Sequence, residues 1–65
     1  MLQIGDHVRV RVPEYPLDGR TGVIISFGDM FIEVKLDSYP AGIDLFNWWE
    51  LEVIGMDISW KKVGF

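Results

Sequence analysis

The sequence predicts a small all-β domain built as a five-stranded barrel, and three observations carry that expectation. Several short runs alternate apolar and polar residues with the period of a half-buried strand, as in "DHVRVRV" from Asp6 to Val12. Glycine, proline and Asp-Gly signals punctuate these runs at short intervals. No stretch has the length of an independent helix, so short strands must bury one another. Closing them into a barrel reduces the exposed sheet edges that a lone sheet would leave.

Size constrains how such a domain is held together. A chain of 65 residues makes one domain, and domains near this size bury only ~60% of the surface their unfolded chain exposes. Disulfides are ruled out because there is no cysteine, and the single histidine, His7, cannot make a protein-only tetrahedral metal site. No cofactor is implied. With 49% hydrophobic and 14% aromatic residues, the chain must rely on dense packing of large side chains or on a partner subunit.

Taken in order, "DHVRVRV" places Val8, Val10 and Val12 on one face and His7, Arg9 and Arg11 on the other. "PEYPLDG", Pro13 to Gly19, is a loop stiffened by its prolines and closed by an Asp18-Gly19 turn signal. In "RTGVIISF", Val23, Ile25 and Phe27 share one face and Ile24 and Ser26 the other. After the break at Gly28-Asp29, "MFIEVKLD" turns Ile32, Val34 and Leu36 inward and Phe31, Glu33 and Lys35 outward. Two runs joined by a short Gly-containing link predict a β-hairpin. "DSYPAGID", Asp37 to Asp44, reads as a second loop. "LFNWW" then suits one 3₁₀ turn pinned by its aromatics, leading into the strand "ELEVI". The barrel is expected over residues 1–54. Residues 55–65 form a C-terminal extension that adds a strand, packs as a tail or is partly disordered.

The pattern "IGDHVRVRVPEYPLDGRTGVIISFGDMFIEVKLD…ELEVI" resembles the SH3-like barrel superfamily. Gly5-Asp6, the valine-alternating strand and "GRTGVI" with Gly19 and Gly22 are similar to the KOW-type opening of several ribosomal proteins and transcription factors. Chain length and layout are also similar to the barrel-type accessory subunit of photosystem I and the variable chain of ferredoxin–thioredoxin reductase. The resemblance implies the barrel and, for the first strand, an antiparallel place beside the last. It implies no particular ligand, because a fold is shared by many functions.

The chemistry-bearing residues point away from an enzyme. Asp6 and His7 are neighbours on a strand, face opposite ways and form no relay. "DGRTG" lacks the lysine and spacing of a P-loop. The balance of charge is acidic, net -4 with a pI near 4.6, which disfavours nucleic acid as the main partner. A KOW-like nucleic-acid module using Arg9, Arg11, Arg20 and Lys35 is the alternative. Against it, Glu50 and Glu52 of the last strand are placed to pair with Arg9 and Arg11. No apolar run approaches the ~18 residues of a membrane span, and "MLQIGDHV" lacks the form of a signal peptide. A cytoplasmic protein is expected.

What remains is the aromatic cluster in "DLFNWWELEVI", Asp44 to Ile54. Adjacent Trp48 and Trp49 diverge in direction, so one ring, with Phe46, is expected to cap the open end of the barrel. The other is expected to be exposed. With Tyr15 and Tyr39, each beside a proline, and with Glu14 and Asp44 nearby, it would form an aromatic and acidic docking patch for a protein partner. The expected function is a non-catalytic protein-interaction module, an accessory subunit or a small phage-type modulator of a larger complex. A purely structural homo-oligomer, meeting through Phe31, Trp60 and Phe65, is the further alternative.

Overall fold

The computed structural model describes residues 2–37 and 42–55. Its strands are β1 (His7–Val10), β2 (Thr21–Phe27), β3 (Ile32–Leu36), β4 (Ile43–Phe46) and β5 (Leu51–Gly55), with a 3₁₀ turn at Trp48–Glu50. All pairings are antiparallel, and the single sheet runs β4-β3-β2-β1-β5. The all-β class and the five strands agree with the sequence. The sheet is open, because among the described residues no ladder joins β4 to β5. Gly55, assigned by the sequence to the extension, closes β5 instead. The remainder of that extension, residues 56–65, lies outside the described residues.

Alternation decides most of the core. Val8 and Val10 of β1, Ile24 of β2 and Val34 of β3 are fully buried, and Ile32, Leu36, Phe46 and Leu51 complete the inner face. Leu17 joins them from the β1–β2 loop, which folds back tightly. There the Gly19 N–H donates to the Val10 carbonyl and the Val10 N–H to the Arg20 carbonyl. Gly22 is a packing requirement as much as a turn signal. A Cβ there would lie 2.5 Å from the Lys35 carbonyl oxygen and 2.8 Å from Val34 Cγ1, closer than real contacts allow.

Two departures from the sequence expectation matter for function. First, the segment 43–46 is a strand, where Ile43 and Asp44 were expected in a loop and Leu45 and Phe46 in the 3₁₀ turn. It was hidden because its pattern is inverted: Asp44 and Phe46 stand opposite Val34 and Ile32 on the inner side, while Ile43 and Leu45 are exposed beside Lys35 and Glu33. Second, β2 does not keep one phase. Ile24 pairs with Val34, but the next registered pairs are Ser26 with Glu33 and Phe27 with Ile32, leaving Ile25 as an unpaired bulge. An extra residue reverses the alternation beyond it. Ser26 therefore leaves the face of Ile24, and Phe27 joins it.

The charge pairing expected between the first and last strands is present in part. Arg9 stands opposite Glu52, and Arg11 Nη1 lies 2.9 Å from Glu52 Oε1. Glu50 does not take part, because it sits in the 3₁₀ turn, where its carboxylate accepts the Asn47 N–H at 2.8 Å.

Candidate functional site

The reversal at Ile25 has a direct consequence at the tip of the β2–β3 hairpin. Phe27 and Ile32, now on the inner side, become the floor of an open cleft of about 720 Å³. Met30 and Phe31 of the turn and Trp48 and Trp49 of the 3₁₀ turn also line it. Leu2 and Leu51 complete its lining with the turn residues Gly28 and Asp29.

The turn that carries the tryptophans is fixed by local hydrogen bonds. Asn47 and Glu50 close it reciprocally, with the Asn47 N–H on Glu50 Oε1 and the Glu50 N–H on the Asn47 carbonyl. The Leu51 N–H then donates to the Trp48 carbonyl and starts β5. On this scaffold the two indoles meet edge to face, with centroids 5.7 Å apart and planes at 89°. Trp48 is 68% exposed and Trp49 63%. The expectation that one of them caps the barrel is thus incorrect. Phe46 takes the buried place alone, at 2% exposure, because it is the residue of this cluster that stands opposite Ile32 on the inner face of β4.

The other members of the expected patch are arranged differently. Tyr15 packs edge to face on Phe46, with centroids 6.5 Å apart, and its hydroxyl donates to Asp44 Oδ2 at 3.2 Å. This contact ties the β1–β2 loop to β4. Glu14, beside it, is exposed with a left-handed backbone (φ 69°). Tyr15, Glu14 and Asp44 do not line the tryptophan cleft. Tyr39 lies outside the described residues, as do Trp60 and Phe65. Among the cleft residues absent from the expected patch are Phe27, Met30, Phe31 and Asp29. Met30 and Phe31 were legible as apolar residues where a hairpin turn usually carries polar ones; Phe27 was concealed by the bulge.

A second hollow of about 390 Å³ lies across the same hairpin tip, lined by Ser26, Glu33 and Leu45 together with Gly28–Phe31. Ser26, Glu33 and Leu45 belong to the outer phase of the sheet. Gly28, Asp29, Met30 and Phe31 of the tip thus line both the aromatic cleft and the smaller hollow.

The cationic residues considered for nucleic acid are dispersed. Arg9 and Arg11 lie beside Glu52, Arg20 is exposed in the loop before β2, and Lys35 stands between Val23 and Ile43. The one histidine finds an acid partner in Asp37. His7 Nε2 is 2.7 Å from Asp37 Oδ2, and the Thr21 hydroxyl donates to the same oxygen at 2.6 Å. The Thr21 hydroxyl first, and the imidazole second, hold the Asp37 carboxyl below its ordinary value of 3.8. Both donors converge on one carboxylate oxygen, so the hydroxyl is bonded to Asp37 and not to the imidazole. The cluster ties β1 and β2 to the end of β3. Among the described residues no group of three His, Cys, Asp or Glu side chains is placed to hold a metal ion, and no helix is long and apolar enough to cross a membrane.

Compared with known proteins, the chain matches no protein-family model, no curated protein and no solved structure.

Proposed function

We propose that this chain is a non-catalytic protein-interaction module that docks a protein partner through its tryptophan cleft. The observation that carries this reading is the exposure of two adjacent indoles, 68% and 63%, over a hollow already walled by Phe27, Met30 and Phe31. Leaving such surface in water forgoes ~25 cal/mol for every Å² that burial would return. Contiguous exposed apolar surface marks interaction sites, and tryptophan is over-represented among the residues that dominate binding energy. The 3₁₀ turn holds both rings on a hydrogen-bonded scaffold, which reduces the ordering cost of binding.

The strand order, with the first strand between the second and the last, supports the SH3-like barrel reading of the fold. Within it, the role we assign is that of a cytoplasmic accessory subunit or small modulator of a larger complex. A nucleic-acid role is less well supported, because Arg11 is engaged by Glu52 and the net charge is -4.

The test is affinity capture on the intact chain and on a Trp48→Ala/Trp49→Ala variant, after nuclease treatment and at low and high salt. A protein retained by the intact chain and lost by the variant is the expected result. Retention that vanishes with nuclease or salt and ignores the tryptophans overturns the reading in favour of nucleic acid. Capture of the chain by itself alone, with a concentration-dependent melting temperature, would establish the homo-oligomer.

A further inference from the structure

We infer that the occupant of the tryptophan cleft is a short segment of a partner protein that pairs a large apolar side chain with a lysine or arginine. This rests on the docking reading above and adds the chemistry of the partner. The apolar requirement follows from the walls of the cleft, where Phe27, Phe31, Trp48 and Trp49 present ring surface to one hollow. The basic requirement follows from what surrounds it. Among the described residues Asp29 is the ionisable residue of the cleft, and it also lines the hollow across the hairpin tip, where Glu33 joins it.

Among the described residues no lysine, arginine or histidine lines either hollow. Lys35, two residues along β3 from Glu33, lines neither, and Arg11 is held by Glu52 at the other edge of the sheet. A cation lying over the tip would find the exposed Asp29 carboxylate beside an apolar surface, with Glu33 in the hollow across it. Indole faces attract the same cation. The acidity also argues against a second copy seated tip to tip, since each chain carries -4 and would bring like charges together.

The experiment is selection of random 12-residue peptides displayed on phage against the immobilised full chain, with counter-selection on the Trp48→Ala/Trp49→Ala variant. Enriched peptides are then synthesised and titrated by fluorescence anisotropy at several salt concentrations. We expect peptides that combine a large apolar residue with lysine or arginine. Either single tryptophan substitution should weaken them on the order of 30-fold, the scale of a binding hot spot. Asp29→Asn should weaken them about two- to five-fold, as loss of an exposed charge pair does, and should flatten their salt dependence. Asp29→Lys should shift the selection towards acidic peptides. Melting curves of every variant guard against misfolding.

Peptides that depend on the tryptophans but carry no basic residue and ignore Asp29→Asn overturn this inference and leave the docking reading standing. Failure to recover any tryptophan-dependent peptide overturns both. Self-association that the tryptophan substitutions abolish overturns the inference in favour of a second copy, including its Lys61-Lys62 segment.

Discussion

Two edge-to-face aromatic pairs flank the same few residues and have opposite fates. Tyr15 and Phe46 form one, with Phe46 buried on the core and the Tyr15 hydroxyl hydrogen-bonded to Asp44. Trp48 and Trp49 form the other, two and three residues on, with both rings exposed. Similar ring geometry thus serves different ends. What separates the pairs is the backbone beneath them. Phe46 ends a strand whose inner face looks onto the core, whereas the tryptophans ride on a tight turn that has left the sheet. Aromatic content alone therefore says little about where stability resides; the supporting element decides.

The largest effect should come from removing the buried member. Phe46→Ala empties a core site and strips Tyr15 of its packing partner, so stability should fall by ~3–5 kcal/mol, enough to abolish cooperative melting in a domain this small. Retention of a sharp melting transition near that of the parent would show that Phe46 is not the anchor. Next is Gly22→Ala, which drives a methyl group against the β3 backbone. Overpacking of this kind costs ~1–3 kcal/mol, and chemical denaturation should register it as a lower midpoint with unchanged slope.

Smaller again is Tyr15→Phe, which keeps the ring and deletes the bond to Asp44. A loss of ~0.5–1 kcal/mol is expected, towards the lower part of the range for hydrogen bonds because the contact is solvent-exposed. Acid should act through Asp37. Its carboxyl is held below its ordinary value in the folded chain, so the folded state favours the ionised form. That contribution is complete above the unfolded value near 3.8 and is lost as the pH falls through the lower folded value. Thr21→Val, which removes the principal donor, should flatten that acid limb in melting curves recorded below pH 4. Smallest of all for stability are Trp48→Ala and Trp49→Ala, each expected within ~0.5 kcal/mol of the parent, as for exposed surface positions. A large loss from either would erase the contrast between the two pairs and with it the case for a docking cleft.

Much of the fold was legible because strands with one wet face carry their geometry in their alternation. The alternation was read correctly over His7–Val10 and Ile32–Leu36, and the pairing of the first and last strands, implied by the resemblance, is accompanied by the expected contact of Arg11 with Glu52. β4 was illegible for a physical reason. Its exposed Ile43 and Leu45 are apolar while its inward Asp44 is polar and satisfied by a tyrosine from a distant loop, so its alternation reads with the faces exchanged. Leu17 escaped notice because nothing local marks a loop leucine as core. Of the expected patch, one tryptophan was expected to be exposed and both are, and their neighbours in the cleft were not identified.

The residues alone establish the all-β class, the hairpin and the lack of any disulfide, whereas the antiparallel partnership of β1 and β5 was implied by the resemblance to SH3-like barrels. The first three follow from period-two patterning, turn chemistry and composition, all of which are local properties or simple sums. Which rings are buried and which surfaces face one another was settled by long-range packing. The bulge at Ile25 turned Phe27 towards the tryptophans, and the close approach of β2 to β3 made Gly22 obligatory. Such outcomes depend on register and on contacts between residues far apart in the chain, where a shift of one residue moves a side chain to the opposite face.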